Sequence, residues 1–226
     1  MDLAVLFSGG KDSAYAMHRA METDIVRCLV SIESENPESY MFHTPNIDIT
    51  SLQAKAIGLP LIVGKTKGKK EEEIEDMKAA LKRATEEYDI EGVVTGAIES
   101  VYQAERVQRA CHELGLWCFN PLWKMDQEEL VRQVIAEGFE TMVSGVFAYP
   151  MEEEWLGRRL DVQALNELLE LSKKFGISPS GEGGEIETTV LFGPMFKKRI
   201  DVLDTRIEFK ANAGVCHILD ARLLDI

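Results

Sequence analysis

The chain has 226 residues, 45% of them hydrophobic, with a formal net charge of -14 and four cysteines. That size supports a substantial core, as one large domain or as a nucleotide domain with a smaller partner. The charge argues against a phosphate-backbone partner, because nucleic-acid binding draws on a basic patch that releases counterions. The apolar start, Leu3 to Phe7, is too short for a signal peptide or a membrane span, so a cytoplasmic location with no membrane partner is expected. Cys28, Cys111, Cys118 and Cys216 are scattered without a CxxC pair and read as reduced, buried thiols.

Residues 2–7 are a short apolar run ending at Ser8-Gly9-Gly10, and residues 11–21 carry helix formers, so the chain opens as strand, tight loop, helix. Residues 25–32 make a second strand, and Asp48 is placed to cap a helix that runs to Gly58. Residues 61–63 form a third strand. Across residues 69–88, Ile74, Met77, Leu81, Ala84 and Tyr88 recur at helical spacing, leaving the charges as a solvated face. Residues 92–95, 100–114 and 117–119 read as strand, helix and strand. Strands alternating with helices imply a parallel five-stranded sheet covered on both faces.

Past Pro121 the rhythm changes. Residues 126–137 and 162–175 read as helices and 139–147 as a strand. Strand-like runs at 190–192, 206–210 and 215–219 follow a Gly-rich segment at 181–184. The expectation is an α/β domain at residues 1–124 and a smaller α+β domain at 125–226.

The chemistry begins at Ser8-Gly9-Gly10-Lys11-Asp12-Ser13. A strand emptying through a glycine pair into a helix surrounds an anion with free backbone N–H groups, and the helix start adds roughly half a positive charge. Ser8 and Ser13 can donate hydroxyls to phosphate oxygens, Lys11 adds a cation, and Asp12 is a candidate Mg2+ ligand. Residues 58–66 imitate a Walker A loop but place five residues between the glycines where four are needed, and their interior is an apolar strand.

The loop resembles the SGGxDS signature of the N-type ATP pyrophosphatases. The resemblance implies an adenine-nucleotide α-hydrolase-like (HUP, Rossmann-like) fold that binds ATP and Mg2+ and releases AMP and pyrophosphate. In this fold adenine contacts come largely from backbone at the end of the second strand, near Ser31 and Ile32. His43 is a candidate neighbour of the adenine and reads equally as a turn histidine.

Two later segments narrow the acceptor. Residues 95–106 start at a strand's carboxyl end, where open α/β sheets bind ligands. Gly96 there permits close approach, and Tyr102 and Arg106 share a face distinct from the buried stripe. Arg106 reads equally as the ion-pair partner of an acid such as Glu105 or Glu113. In Gly181-Glu182-Gly183-Gly184-Glu185-Ile186-Glu187-Thr188, three carboxylates crowd a loop. They suit a cation there, or form a solvated acidic loop.

Taken together, the motifs resemble the diphthine-ammonia ligase family over essentially the whole chain: SGGKDS, then GAI with a following YQ and R, then GEGGE(aromatic)ET. Residues 41–46 and 120–123 fit it as well. The resemblance implies ATP binding by Ser8 to Ser13 and Gly96, a substrate side formed by Tyr102, Gln103, Arg106, Glu182, Glu185 and Glu187, and chemistry at Lys11, Asp12, Glu185 and Glu187. The implied partners are ammonium and elongation factor 2 carrying diphthine, whose trimethylammonium group suits the acidic loop and an aromatic face such as Trp123 or Trp155. A homodimer is left open. Ile186 departs from the family's aromatic. The alternatives sharing the loop are an ATP-dependent tRNA-modifying enzyme and a non-catalytic ATP-binding module.

Overall fold

The computed structural model describes residues 1–36, 41, 42, 45–69 and 71–226. Strands β1 (Asp2–Leu6), β2 (Ile25–Ser34), β3 (Leu61–Thr66), β4 (Gly92–Val94) and β5 (Trp117–Phe119) form one sheet in the order β3-β2-β1-β4-β5, with every pairing parallel. Helices α1 (Lys11–Ala20), α2 (Thr50–Ile57), α3 (Glu72–Tyr88) and α4 (Val101–Glu113) connect these strands. Coverage on both faces explains why β1 reads as a continuous apolar run, with Leu3, Ala4 and Val5 all buried. Strand order reverses between β1 and β4, and their carboxyl ends open a crevice there.

The second half carries α5 (Gln127–Ala136), β6 (Glu140–Val146), α6 (Val162–Phe175), β7 (Ile186–Phe192), β8 (Lys198–Lys210) and β9 (Ala213–Asp225). Its strands form an antiparallel sheet ordered β7-β6-β9-β8. Asp126 and Asp161 cap α5 and α6 by accepting from the N–H groups of Glu129 and Ala164, and Gly176 ends α6 in the left-handed region.

Three sequence expectations shift. Asp48 caps nothing: a 3-10 turn, Ile47–Ile49, precedes α2, and Ile49 occupies the cap position. The third helix starts at Glu72. The short runs at 206–210 and 215–219 are the inner parts of two strands of 13 residues each. The decoy glycine segment is ordinary structure, with Gly58 ending α2 and residues 61–66 forming β3.

One apolar cluster joins the halves. Leu3, Val5, Phe7 and Tyr15 pack in the same core as Leu130, Val134, Phe139, Val190, Phe196 and Ile200. Tyr15 reaches across it to donate to Gln133 or Glu137, at 2.7 and 2.8 Å. All four cysteines are free; three are buried and Cys118 is half-buried.

Candidate active site

A cavity of about 560 Å³ lies at the carboxyl ends of the parallel strands. Leu6, Val30, Ile32, Met41, Phe42 and Val107 give it an apolar flank, while Ser8, Lys11, Asp12, Ser13, Glu182 and Glu187 line its polar end. An apolar slot beside convergent polar groups fits a ligand with a flat base and a charged tail.

The loop between β1 and α1 is held from both halves of the molecule. The Gly9 carbonyl accepts from Val190 N–H at 2.9 Å and from Gln53 Nε2 at 2.8 Å, and the same Gln53 amide donates to the Val190 carbonyl at 2.7 Å. Lys11 N–H donates to Thr188 Oγ1 at 3.1 Å. The Oγ atoms of Ser8 and Ser13 sit 3.1 Å apart. Gly10 at the N-cap of α1 brings no side chain, and Thr188 takes the Lys11 N–H, so the rest of the helix start suits an anion. Gly96 brings the turn after β4 against this loop: a Cβ there would lie 2.7 Å from Asp12 C and Ser13 N.

Lys11 is 3% exposed, with Nζ donating to Asp12 Oδ2 at 2.9 Å and to the Ser180 carbonyl. Asp12 Oδ1 is buried without a hydrogen-bond partner. That oxygen fits Mg2+ arriving with a nucleotide, since Mg2+ in such sites takes one or two carboxylates and otherwise phosphate oxygens and water. Among the described residues, no group of three or more His, Cys, Asp or Glu is placed to hold a metal by itself.

The acidic loop divides its carboxylates. Glu182 Oε1 accepts from the N–H groups of Glu99 and Ser100 at 2.9 and 2.8 Å, tying this loop to the start of α4. Burial raises its pKa, opposed by those two bonds. Glu187 lines the cavity on β7, and burial pushes it to about 7, with Lys11 pulling it down and Asp12 adding a smaller upward push. Glu185 turns to the base of its own loop, where Oε1 accepts from Ser178 N–H at 3.0 Å, and it does not line the cavity.

Of the other expected site residues, Gln103 and Ile32 line the cavity; Gly9, Ser31, Tyr102 and Arg106 do not. Ser31 spends its hydroxyl on the Phe7 carbonyl at 2.6 Å. Arg106 stacks 3.4 Å over the Tyr102 ring and pairs with Glu71 at 2.8 Å, so its acidic partner comes from the N-cap of α3 and is neither Glu105 nor Glu113. His43 lies outside the described residues. Ile186 is buried in the second-half core. Trp155 is also buried there, 3% exposed and covered by the Arg158 guanidinium, so it offers no open face to a cation; Trp123 is 38% exposed. Gln53, Thr188 and the Ser180 carbonyl, which hold the loop and Lys11, carry no signal of that role in the sequence.

The fold and site define an α/β protein of the nucleotide-binding kind, with a glycine-rich loop suited to an anion at the switch point of a parallel sheet and an acidic loop from a second sheet closing over it. Family models for the diphthamide synthase N-terminal and C-terminal domains match residues 1–118 and 126–224. The chain belongs to the diphthamide synthase family. It is 38% identical over 241 residues to the rat diphthine--ammonia ligase, covering 98% of this chain and 87% of that protein. To the human diphthine--ammonia ligase it is 33% identical over 246 residues, covering 100% and 92%. Among solved structures, a predicted subunit of a tRNA methyltransferase from Methanocaldococcus jannaschii aligns with TM-score 0.45 at 21% identity, covering 86% of this chain and 98% of that one.

Proposed function

We propose that this chain is an ATP-dependent ligase that converts the carboxylate of diphthine on elongation factor 2 into the amide of diphthamide, with ammonium as nitrogen donor, in the cytoplasm. The observation that carries this reading is the joining of a phosphate-gripping loop and an acidic loop around one cavity, in a chain that belongs to the diphthamide synthase family.

ATP lies with its base on the apolar flank and its phosphates at Ser8 to Ser13. Residues 1–124 supply most of this nucleotide site, and residues 125–226 supply the acidic loop. A diphthine carboxylate oxygen attacks the α-phosphorus, the bond to the bridging oxygen breaks, and pyrophosphate departs. Lys11, the two serine hydroxyls and the helix start stabilise the charge that develops on the leaving group. Mg2+, held through Asp12, neutralises phosphate charge when bound. Ammonium gives up one proton to water, the resulting ammonia attacks the acyl carbon, and AMP leaves with the former carboxyl oxygen as the nitrogen loses a second proton. Glu182 and Glu187 face the same polar end of the cavity as Lys11, and Glu187 adds its negative charge once it ionises near pH 7, suited to ammonium or to the trimethylammonium group. Glu185 braces the loop that carries them, and Tyr102 with Arg106 forms an outer rim.

Pyrophosphate release tests the reaction class. Release should require elongation factor 2 bearing diphthine and ammonium together. Release driven by tRNA instead overturns the proposal, as does ATP binding with no release under any of these conditions.

A further inference from the structure

β8 is the free edge of the antiparallel sheet. It closes onto β9 through Ala211 and Asn212, both at positive φ, 51° and 63°, the two-residue turn whose twist suits a hairpin. In such a hairpin the pair beside the turn, Lys210 with Ala213, exchanges ladder bonds, and bonded and unbonded pairs alternate from there. The N–H and C=O groups of Thr205, Ile207 and Phe209 therefore point away from β9 to the open edge. The strand is exposed here, Ile207 by 41%, and of the features that guard long exposed edges it carries charged side chains and, before Thr205, a register irregularity. The charges along it alternate as Asp204, Arg206, Glu208 and Lys210, summing to zero in a chain of net charge -14.

We infer that this edge pairs antiparallel with the same edge of a second copy of the chain, about a two-fold axis through Ile207. In that register Ile207 lies opposite itself and Thr205 opposite Phe209 of the second copy, so the outward backbone groups of all three residues enter ladder bonds. Arg206 then faces Glu208 of the second copy and Asp204 faces Lys210, each twice by symmetry. Displacing the axis by one residue toward either end sets like charges opposite: Arg206 against itself with Asp204 against Glu208, or Glu208 against itself with Arg206 against Lys210. Pairing closer to the start of β8 runs into the irregularity between Val202 and Asp204, which bends the edge away. Backbone geometry and charge thus select one register, and its occupant is a local net-neutral match that an acidic chain tolerates.

The test begins with the molar mass of the full chain by light scattering. A dimer is expected at micromolar concentration, becoming monomeric in Ile207→Asp, with the far-UV dichroism and thermal midpoint confirming that the variant is folded. The register is read by mixing Arg206→Cys with Glu208→Cys under mild oxidation: a disulfide-linked dimer forms from the mixture and from neither variant alone. A wild-type monomer overturns the inference, even if β8 then captures a strand of another protein. So does a dimer that survives Ile207→Asp or gives no cross-link on mixing.

Discussion

Glu187 shows how position on a strand sets the chemistry of one carboxyl group. The folded chain holds its proton up to about pH 7, against an ordinary carboxyl value of 4.5. Between those values the folded state binds more protons than the unfolded one, so stability falls as pH rises through this window, by on the order of 3 kcal/mol across it. Below 4.5 both states are protonated and no penalty remains. Glu187→Gln removes this titration, and urea midpoints followed from pH 4.5 to 8 should decline less in the variant; parallel declines contradict the assignment. Lys11→Ala removes the buried cation between Asp12 and the Ser180 carbonyl. Amidation should fall by about 100-fold or more, the usual scale for losing one preorganised charge-stabilising group. At Gly96 the constraint is steric. Gly96→Ala drives a methyl against the Asp12–Ser13 backbone, and the phosphate loop must shift, so ATP affinity measured by calorimetry should drop at least tenfold.

At the scale of elements, the site is a junction of β1-α1, β4-α4 and the acidic loop before β7. Glu182 is the tie between the last two, accepting two N–H groups at the start of α4. Glu182→Ala should cost about 1 kcal/mol of stability, as loss of a helix cap does, and should loosen the acidic loop, seen as faster amide exchange at residues 99 and 100. Unchanged exchange there contradicts the tie.

Much of this junction was legible locally. Loop, glycines and helix start are contiguous from Ser8 to Ser13, and the expected helix at 162–175 is α6 with the same bounds. What was not legible comes from distance. Thr188 reaches Lys11 N–H from 177 residues away, and Gln53 looks like any helical glutamine until its amide is found between two carbonyls. The long β8–β9 hairpin was hidden for another reason: its burial ends partway, and the irregularity near Leu203 breaks the alternation that marks a strand. Tyr102 and Arg106 do share a face of α4 away from its buried stripe, but they do not line the cavity, and Glu71 occupies the guanidinium there.

For the whole molecule, the shared core matters more than the division near residue 124. Leu130 sits on α5 yet packs in the cluster that holds β1 and α1. Leu130→Ala should therefore cost about 2–5 kcal/mol and speed hydrogen exchange in β1 as well as β6. Exchange rising in the second half alone contradicts a common core. Because β7 carries Glu187 and holds the loop of residues 8–13 through Thr188 and Val190, that loop and the acidic loop are parts of one construction, and the ligase reading depends on that. The most direct measurement is mass spectrometry of elongation factor 2 carrying diphthine after incubation with this chain, ATP, Mg2+ and ammonium, with Lys11→Ala alongside. The account predicts the mass change of acid to amide with the wild-type chain and its loss in the variant. An unchanged mass, with ATP demonstrably bound, contradicts it.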